Sequence, residues 1–199
     1  MNVNVYYLLL AFLVLTSCRK PEACFTASLT TVQLGQEVLF NDCSTDGAKT
    51  KINFGDGSRE KTFVGIIRHT YSDPGTYNVT ITVLNRRGKR KDAAGSTITV
   101  KAPEKQEIIG RWRYYKEETV TLGVSVSFPR NELWVFGNEE LELNGNFYNW
   151  SLAGNILTSQ HASPNSFRIL KFYNNEMELR HSETNYLGAS HDIYHFRRE

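Results

Sequence analysis

Alternating hydrophobic and polar positions run along most of the chain and predict β-strands. The clearest case is residues 76–84, TYNVTITVL, where Tyr77, Val79, Ile81 and Val83 alternate with polar residues. A period of two residues buries one face of a strand and leaves the other face in water. No segment of 12 or more residues shows the 3.6-residue period of an amphipathic helix. The pattern therefore predicts an all-β protein.

Turn signals divide the strand-like runs into two groups, separated by a polar, proline-containing linker at residues 102–107. The short antiparallel runs of residues 22–101 predict a two-sheet sandwich. Residues 108–199 predict a meander of eight or nine strands, which removes its unpaired edges by closing into a small up-and-down barrel. The predicted runs lie near residues 24–28, 37–41, 49–54, 62–69, 76–84, 96–101, 111–120, 124–128, 133–137, 140–143, 146–152, 155–158, 166–173, 176–181 and 190–197.

Residues 1–17 have the pattern of a signal peptide. Val5–Leu15 is an unbroken apolar run of 11 residues. As a helix it would be about 16 Å long, roughly half of what a bilayer core requires. This length fits the apolar region of a secretory signal peptide better than a membrane span.

Leu15-Thr16-Ser17-Cys18 follows the apolar run. It is similar to the lipobox of bacterial lipoproteins, in which an aliphatic residue and two small residues precede a cysteine. The resemblance implies cleavage before Cys18, acylation of Cys18, a lipidated tether at residues 18–21, and a place at the outer membrane or cell surface of a Gram-negative bacterium. Several acyl chains would anchor the protein stably in the membrane. The alternative is an ordinary signal peptide with an incidental cysteine.

Cysteine usage is consistent with export. The chain has three cysteines, and if Cys18 is acylated, Cys24 and Cys43 remain as an even pair in an oxidising compartment, where disulfides persist. The pair lies on successive strand-like runs, 19 residues apart. We therefore predict a disulfide between them, with two buried free thiols as the alternative.

Three turn motifs in a fixed order characterise the first half. They are Phe54-Gly55-Asp56-Gly57, His69-Thr70-Tyr71 and Asp73-Pro74-Gly75-Thr76-Tyr77. Together they resemble the PKD domain, an immunoglobulin-like sandwich common on bacterial surface proteins.

Each of these motifs has a structural interpretation. We expect Asp56-Gly57 to form a tight hairpin and Pro74-Gly75 to form a turn between neighbouring strands. We expect Tyr71 or Tyr77 to form a tyrosine corner, with its hydroxyl bonded to the backbone. We assign Asp56 to the turn and His69 to a structural hydrogen bond, in preference to metal binding or catalysis.

The second half begins with Gly110-x-Trp112, and it resembles the lipocalin-like domains of bacterial lipoproteins. In lipocalins this Trp plugs the closed end of the barrel, often beneath an Arg of the last strand, which here would be Arg197 or Arg198. The many large rings lead us to expect a packed interior with little room for a ligand, which needs about 300 Å³ or more. These rings are Trp112, Trp134, Phe136, Phe147, Trp150, Phe167, Phe172 and Phe196.

Candidate chemistry is sparse. A net charge of +2 argues against nucleic-acid binding. The sequence has no G-x-S-x-G motif and no glycine-rich phosphate loop. His191 and His195 have the spacing of a zinc motif, but on a strand they would lie about 13 Å apart. Glu140 and Glu142 are assigned to a solvated barrel face. We therefore expect no catalysis, no cofactor and no metal.

One basic run stands out, and it falls in the last hairpin of the sandwich. The simpler interpretation is an exposed turn, and the alternative is a patch for anionic glycans or lipid headgroups. Its basic residues are Arg86, Arg87, Lys89, Arg90 and Lys91.

These features predict a non-catalytic cell-envelope lipoprotein that binds a glycan or a protein at a surface. Two alternatives stay open. One is a carrier of a small apolar ligand in the C-terminal barrel. The other is an accessory part of an extracellular glycan-degrading system.

Overall fold

The computed structural model describes residues 20–160, 166–185 and 188–199, and these residues form an almost entirely β protein. The strands form two sheets and one closed barrel. The only helix in the described part, α1 (Lys105–Ile108), has four residues. The predicted all-β fold class is therefore confirmed. No helix in the same residues is long and apolar enough to span a membrane.

Eight strands form the N-terminal sandwich. They are β1 (Phe25–Ala27), β2 (Thr31–Gln33), β3 (Glu37–Asp42), β4 (Lys49–Asn53), β5 (Lys61–Phe63), β6 (Ile66–Thr70), β7 (Gly75–Leu84) and β8 (Lys91–Lys101). One sheet has the order β1-β3-β6 and the other the order β2-β8-β7-β4-β5. Strand β2 pairs with β8 in parallel, whereas β4 pairs antiparallel with both of its neighbours.

The core of the sandwich follows the alternating pattern of the sequence. Phe40, Ile52, Val79 and Ile81 are fully buried, and the polar residues between them along each strand face water. The expected strand at 62–69 is instead two strands, β5 and β6, which lie in different sheets. The break falls at Gly65, whose φ of 72° lets the chain turn from one sheet to the other.

A disulfide joins Cys24 and Cys43, as the cysteine pattern predicts. The two Cα atoms are 4.9 Å apart, and the amide of Cys43 donates a hydrogen bond to the carbonyl of Cys24 at 3.0 Å. A cross-link over a loop of this size stabilises a fold by roughly 3 kcal/mol.

Eight strands close the C-terminal barrel in the order β10-β11-β12-β13-β14-β15-β16-β9. They are β9 (Gly110–Thr121), β10 (Val124–Phe136), β11 (Glu140–Leu143), β12 (Asn146–Ala153), β13 (Ile156–Ser159), β14 (Ser166–Tyr173), β15 (Glu176–Asn185) and β16 (Gly188–Arg198). Consecutive strands pair antiparallel, and β16 closes the barrel by pairing with β9. The runs predicted at 124–128 and 133–137 are one strand, β10, with a register shift between Pro129 and Glu132.

Two-residue turns join several barrel strands, as the Asn-Gly signal predicts. Asn144 and Gly145 connect β11 to β12 with φ values of 52° and 80°. Two consecutive positive φ angles are typical of the type I′ turn, whose twist matches that of the flanking strands.

Candidate functional site

Helix α1 packs against one end of the barrel, here called the closed end, which is built around Trp112. This side chain is 1% exposed, and its indole Nε1 donates to the carbonyl of Ile108 at 2.7 Å. The guanidinium of Arg198 lies over the Trp112 ring at 5.3 Å from the centroid. A Cβ on Gly110 would come within 3.2 Å of that guanidinium, which explains the glycine two residues before the tryptophan. The expected pairing of Trp112 with an arginine of the last strand is therefore confirmed at Arg198.

Elsewhere the barrel contains a cavity of about 360 Å³ that is open to solvent. A cavity of this size contradicts the expectation of little room for a ligand, although six of the eight large rings are at most 7% exposed. Phe147, in contrast, is 62% exposed. The cavity is lined by Tyr114, Glu117, Arg130, Glu132, Trp134, Leu143, Asn144, Asn146, Tyr148, Ser159, Phe167 and Tyr194.

Four of the lining residues form a continuous ring of aromatic contacts. Centroid distances are 6.1 Å from Tyr114 to Trp134, 6.0 Å from Trp134 to Phe167, 5.4 Å from Phe167 to Tyr194 and 5.5 Å from Tyr194 to Tyr114. Tyr114, Trp134 and Phe167 are each less than 9% exposed. Rings at these separations pack tilted or edge-to-face, so the cluster is a preformed aromatic wall.

A charged group borders this aromatic wall. Glu117 Oε2 accepts hydrogen bonds from the Tyr114 hydroxyl at 3.0 Å and from Arg130 Nε at 2.8 Å. Burial and the neighbouring Glu117 raise the pKa of Tyr114, and Glu117 raises the pKa of Arg130. Tyr114 therefore stays neutral and Arg130 stays charged over the physiological pH range.

A backbone irregularity brings Glu117 to this position. Phe196 pairs with Tyr114 and His195 pairs with Lys116, so Tyr115 is an extra residue in β9. On a regular strand, residues three apart face opposite sides. Because the bulge changes the direction of the side chains that follow it, Tyr114 and Glu117 both line the cavity.

Two buried polar atoms of the lining have no hydrogen-bond partner among the described residues. They are the indole Nε1 of Trp134 and the hydroxyl of Ser159. Buried polar groups are nearly always hydrogen-bonded, so an unpaired one requires an explanation. The half-buried Glu132 carboxylate also lines the cavity, so the lining offers a polar ligand both donors and an acceptor.

Sequence reasoning placed Trp134 and Phe167 inside the barrel but missed the polar lining residues, although a signal was present. Arg130, Glu132 and Trp134 are alternate residues of β10. Two charged side chains therefore precede a core aromatic residue on the same face of the strand. The candidates Glu140 and Glu142 do not line the cavity. Instead Leu141 and Leu143 of the same strand are buried.

The structure corrects the interpretation of Asp56-Gly57. The chain between β4 and β5 is a seven-residue loop, 54–60, and not a tight hairpin. Side chains set its shape, since Asn53 Oδ1 accepts from the Gly55 amide at 2.8 Å and Asp56 Oδ1 accepts from the Ser58 amide at 3.0 Å. Such side-chain turns compete with the strand ladder, and Gly55 and Gly57 both have φ of 81°.

The tyrosine corner is formed by Tyr77. Its hydroxyl donates to the carbonyl of Asp73 at 2.6 Å, and its ring stacks on Tyr71 at 4.3 Å. His69 meets Tyr71 edge-on at 4.7 Å. Pro74 and Gly75 end a turn that leads from β6 into β7, and these strands lie in different sheets, so they are not neighbours within one sheet.

The basic run forms the exposed tip of the β7–β8 hairpin. Every residue from Arg86 to Lys91 is exposed. Asn85 shapes the tip, because its Oδ1 accepts from the amides of Lys89 at 3.0 Å and Arg90 at 3.3 Å.

The other residues that the sequence analysis singled out do not form a second binding site in the described part of the chain. Cys18 lies outside the described residues. No group of three His, Cys, Asp or Glu residues in the described ranges is placed to hold a metal ion. His195 lies between two carboxylates, with Nδ1 at 3.5 Å from Glu178 Oε1 and Nε2 at 3.6 Å from Glu118 Oε2.

The contact with His195 predicts an acid-dependent loss of stability. The hydrogen bond from His195 lowers the pKa of Glu178 from its ordinary value of 4.5, and Lys171 acts in the same direction, whereas burial and the like charge of Glu176 oppose this shift. The contact therefore stabilises the folded protein fully above 4.5, the ordinary pKa. This stabilisation is lost as the pH falls through the lowered pKa of Glu178. We expect Glu178→Gln to be less stable than the wild type at pH 7 in urea unfolding, with a difference that shrinks below about pH 4.5. The exposed Glu140→Gln variant should show no such trend, and a difference that did not change with pH would contradict the assignment.

Comparisons with known proteins agree with this architecture in part. The family model for the PKD domain matches residues 23–100. The PKD1 domain of the Vibrio cholerae metalloprotease PrtV is 28% identical, covers 41% of this chain and 98% of its own, and has a TM-score of 0.35. A carbohydrate-binding module of the β-sandwich superfamily is 22% identical, with coverage of 84% and 61% and a TM-score of 0.40.

A protein of unknown function from Nostoc punctiforme aligns over 90% of this chain and 88% of its own at 9% identity, with a TM-score of 0.26. No curated protein shows significant sequence similarity. A PKD domain fits a non-catalytic binding or adhesion role. Residues 23–100 are therefore a PKD domain, and the C-terminal part of the chain forms a closed eight-stranded barrel.

Proposed function

We propose that this chain is a lipid-anchored, non-catalytic binding protein of a Gram-negative cell envelope, and that the barrel cavity is its ligand site. The observation that carries the proposal is the 360 Å³ cavity with its aromatic wall and unpaired polar groups. Ligand sites are concave, largely preformed, and combine aromatic surface with a few placed polar groups.

The chemistry of the lining favours a glycan. Tyr114, Trp134, Phe167 and Tyr194 offer ring surface on which the apolar face of a sugar can pack. The unpaired groups of Trp134 and Ser159 offer two donors for hydroxyl groups, and the Glu132 carboxylate offers an acceptor. A polyhydroxylated ligand satisfies both kinds of surface.

A wholly apolar ligand fits this cavity less well. It would remove Glu132 and the Glu117–Arg130 pair from water without supplying hydrogen bonds, and burying unpaired polar groups is costly. Native mass spectrometry of protein purified from its own host separates the alternatives, because a carrier would retain a lipid. A role within an extracellular glycan-degrading system is a further form of the same proposal, since such a system needs a glycan-binding component.

The test is a glycan array followed by titration of the strongest binder. Glu132→Gln keeps the size of the side chain and removes the charged acceptor, so we expect the dissociation constant to rise about tenfold or more. Glu140→Gln makes the same chemical change on an exposed residue outside the cavity and should bind as the wild type does. Binding that Glu132→Gln left unchanged, or no glycan binding at all, would reject the glycan site.

A further inference from the structure

We propose that the tip of the β7–β8 hairpin, residues 86–91, is a membrane-contact surface that binds the anionic phosphate headgroups of the bilayer. The inference rests on the lipid anchor of the proposed function. It concerns a surface of the sandwich that the barrel cavity does not use. Its basic residues are Arg86, Arg87, Lys89, Arg90 and Lys91.

The hairpin holds its charges in a fixed loop. The Gly88 amide donates to the Asn85 carbonyl at 2.9 Å, and the Asn85 amide donates to the Arg90 carbonyl at 2.9 Å. The Asn85 side chain accepts two further backbone hydrogen bonds within the tip. The loop is therefore preorganised, and little backbone order remains to be acquired on binding.

The charges of the tip are largely uncompensated. Arg86, Arg87, Lys89 and Lys91 form no ion pair with any residue in the described ranges, and all four are exposed. Like charges crowded on one loop repel each other. An anionic surface would relieve that repulsion, and clusters of four to eight basic residues beside a membrane anchor are typical of such contacts.

Contacts of Lys20 and Ala23 hold the N-terminal segment against the base of the hairpin. Asp92 follows Lys91 directly, and its carboxylate accepts from the Ala23 amide at 2.9 Å and pairs with Lys20 Nζ at 3.6 Å. Cys18 precedes Lys20 by two residues, so the chain between them spans at most about 7 Å. An acylated Cys18 would therefore tether the base of the hairpin, at Asp92, close to the headgroups.

The opposite end of the same sheet supplies a matched control. Strand β4 pairs Lys49 with Leu84 beside the hairpin and Asn53 with Thr80 further along. The loop after Asn53 therefore lies at the far end of β4. It contains Arg59, and Lys61 follows at the start of β5. This pair matches Arg87 and Lys89, because each pair consists of one exposed arginine and one exposed lysine.

The experiment is co-sedimentation of the unacylated Cys18→Ala protein with vesicles of phosphatidylcholine, with and without phosphatidylglycerol. We expect binding only to the anionic vesicles, weakened by added salt. Arg87→Gln/Lys89→Gln should lower the partition coefficient about thirtyfold, since each basic residue near the surface contributes about fivefold. Arg59→Gln/Lys61→Gln removes the same net charge and should change the coefficient less than about twofold.

Three outcomes would overturn the inference: no binding to anionic vesicles, equal losses for both double variants, or binding to a soluble anionic polysaccharide in preference to the vesicles. None of these three outcomes depends on whether Cys18 is acylated. A Cys18→Ala protein that stayed in the cellular membrane fraction even after a salt wash would refute the acylation at Cys18, while the vesicle assay would still report on the hairpin.

Discussion

Replacing Trp112 with alanine is expected to lower the free energy of unfolding of the barrel by about 3–5 kcal/mol. The indole is almost wholly buried, its N–H bonds to the Ile108 carbonyl, and the Arg198 guanidinium lies over its face. The substitution leaves a cavity at the closed end and an arginine without its aromatic partner. Urea unfolding followed by circular dichroism measures the loss.

Two further variants make this test specific. Phe147→Ala removes a ring that is 62% exposed, and it should change stability by less than about 0.5 kcal/mol. Trp112→Phe keeps most of the buried ring and removes the N–H donor, so it should fall between Phe147→Ala and Trp112→Ala. Equal stability of Trp112→Ala and the wild type would show that Trp112 does not hold the closed end together.

Replacing Cys18 with alanine is expected to move nearly all of the protein from the membrane fraction to the soluble fraction once the membranes are washed with salt, which screens the basic hairpin tip. One acyl chain gives marginal membrane binding, whereas two or more anchor a protein stably. If Cys18 is acylated, its acyl chains would therefore carry the attachment. Cell fractionation and immunoblotting measure the change.

The other two cysteines provide the control. Cys24→Ala/Cys43→Ala removes the disulfide and leaves the lipobox-like segment unchanged. This variant should stay membrane-bound, although it loses roughly 3 kcal/mol of stability. Release of both variants would indicate that folding, and not acylation, determines where the protein resides.

The sequence predicts the strands and the disulfide well because both depend on local or countable features. A period of two places Val79 and Ile81 in the core wherever the strand finds its partners. The turn at Asn144-Gly145 follows from the φ angles that only a few residues tolerate. The disulfide follows from an even pair of cysteines, one directly before β1 and one directly after its neighbour β3.

The cavity could not be predicted in this way. A list of large rings does not say how they distribute around a barrel, and here Tyr114, Trp134, Phe167 and Tyr194 pack against one another and leave space beside them. The position of Glu117 depends on the bulge at Tyr115. Bulges depend on pairing between strands that are distant in sequence, which a single run of residues does not encode.

The Cys24–Cys43 disulfide also determines how the sandwich bears mechanical load. If the acyl chains hold residue 18 in the membrane, any pull on the protein enters the fold through residues 20–24. Hydrogen bonds alone would let the three-residue β1 peel away from β3 one pair at a time. The disulfide instead passes the force covalently to Cys43, directly after β3, whose Val38 and Phe40 are fully buried. In a tethered protein exposed to shear, the core of the sandwich, and not its edge strand, would therefore bear the force.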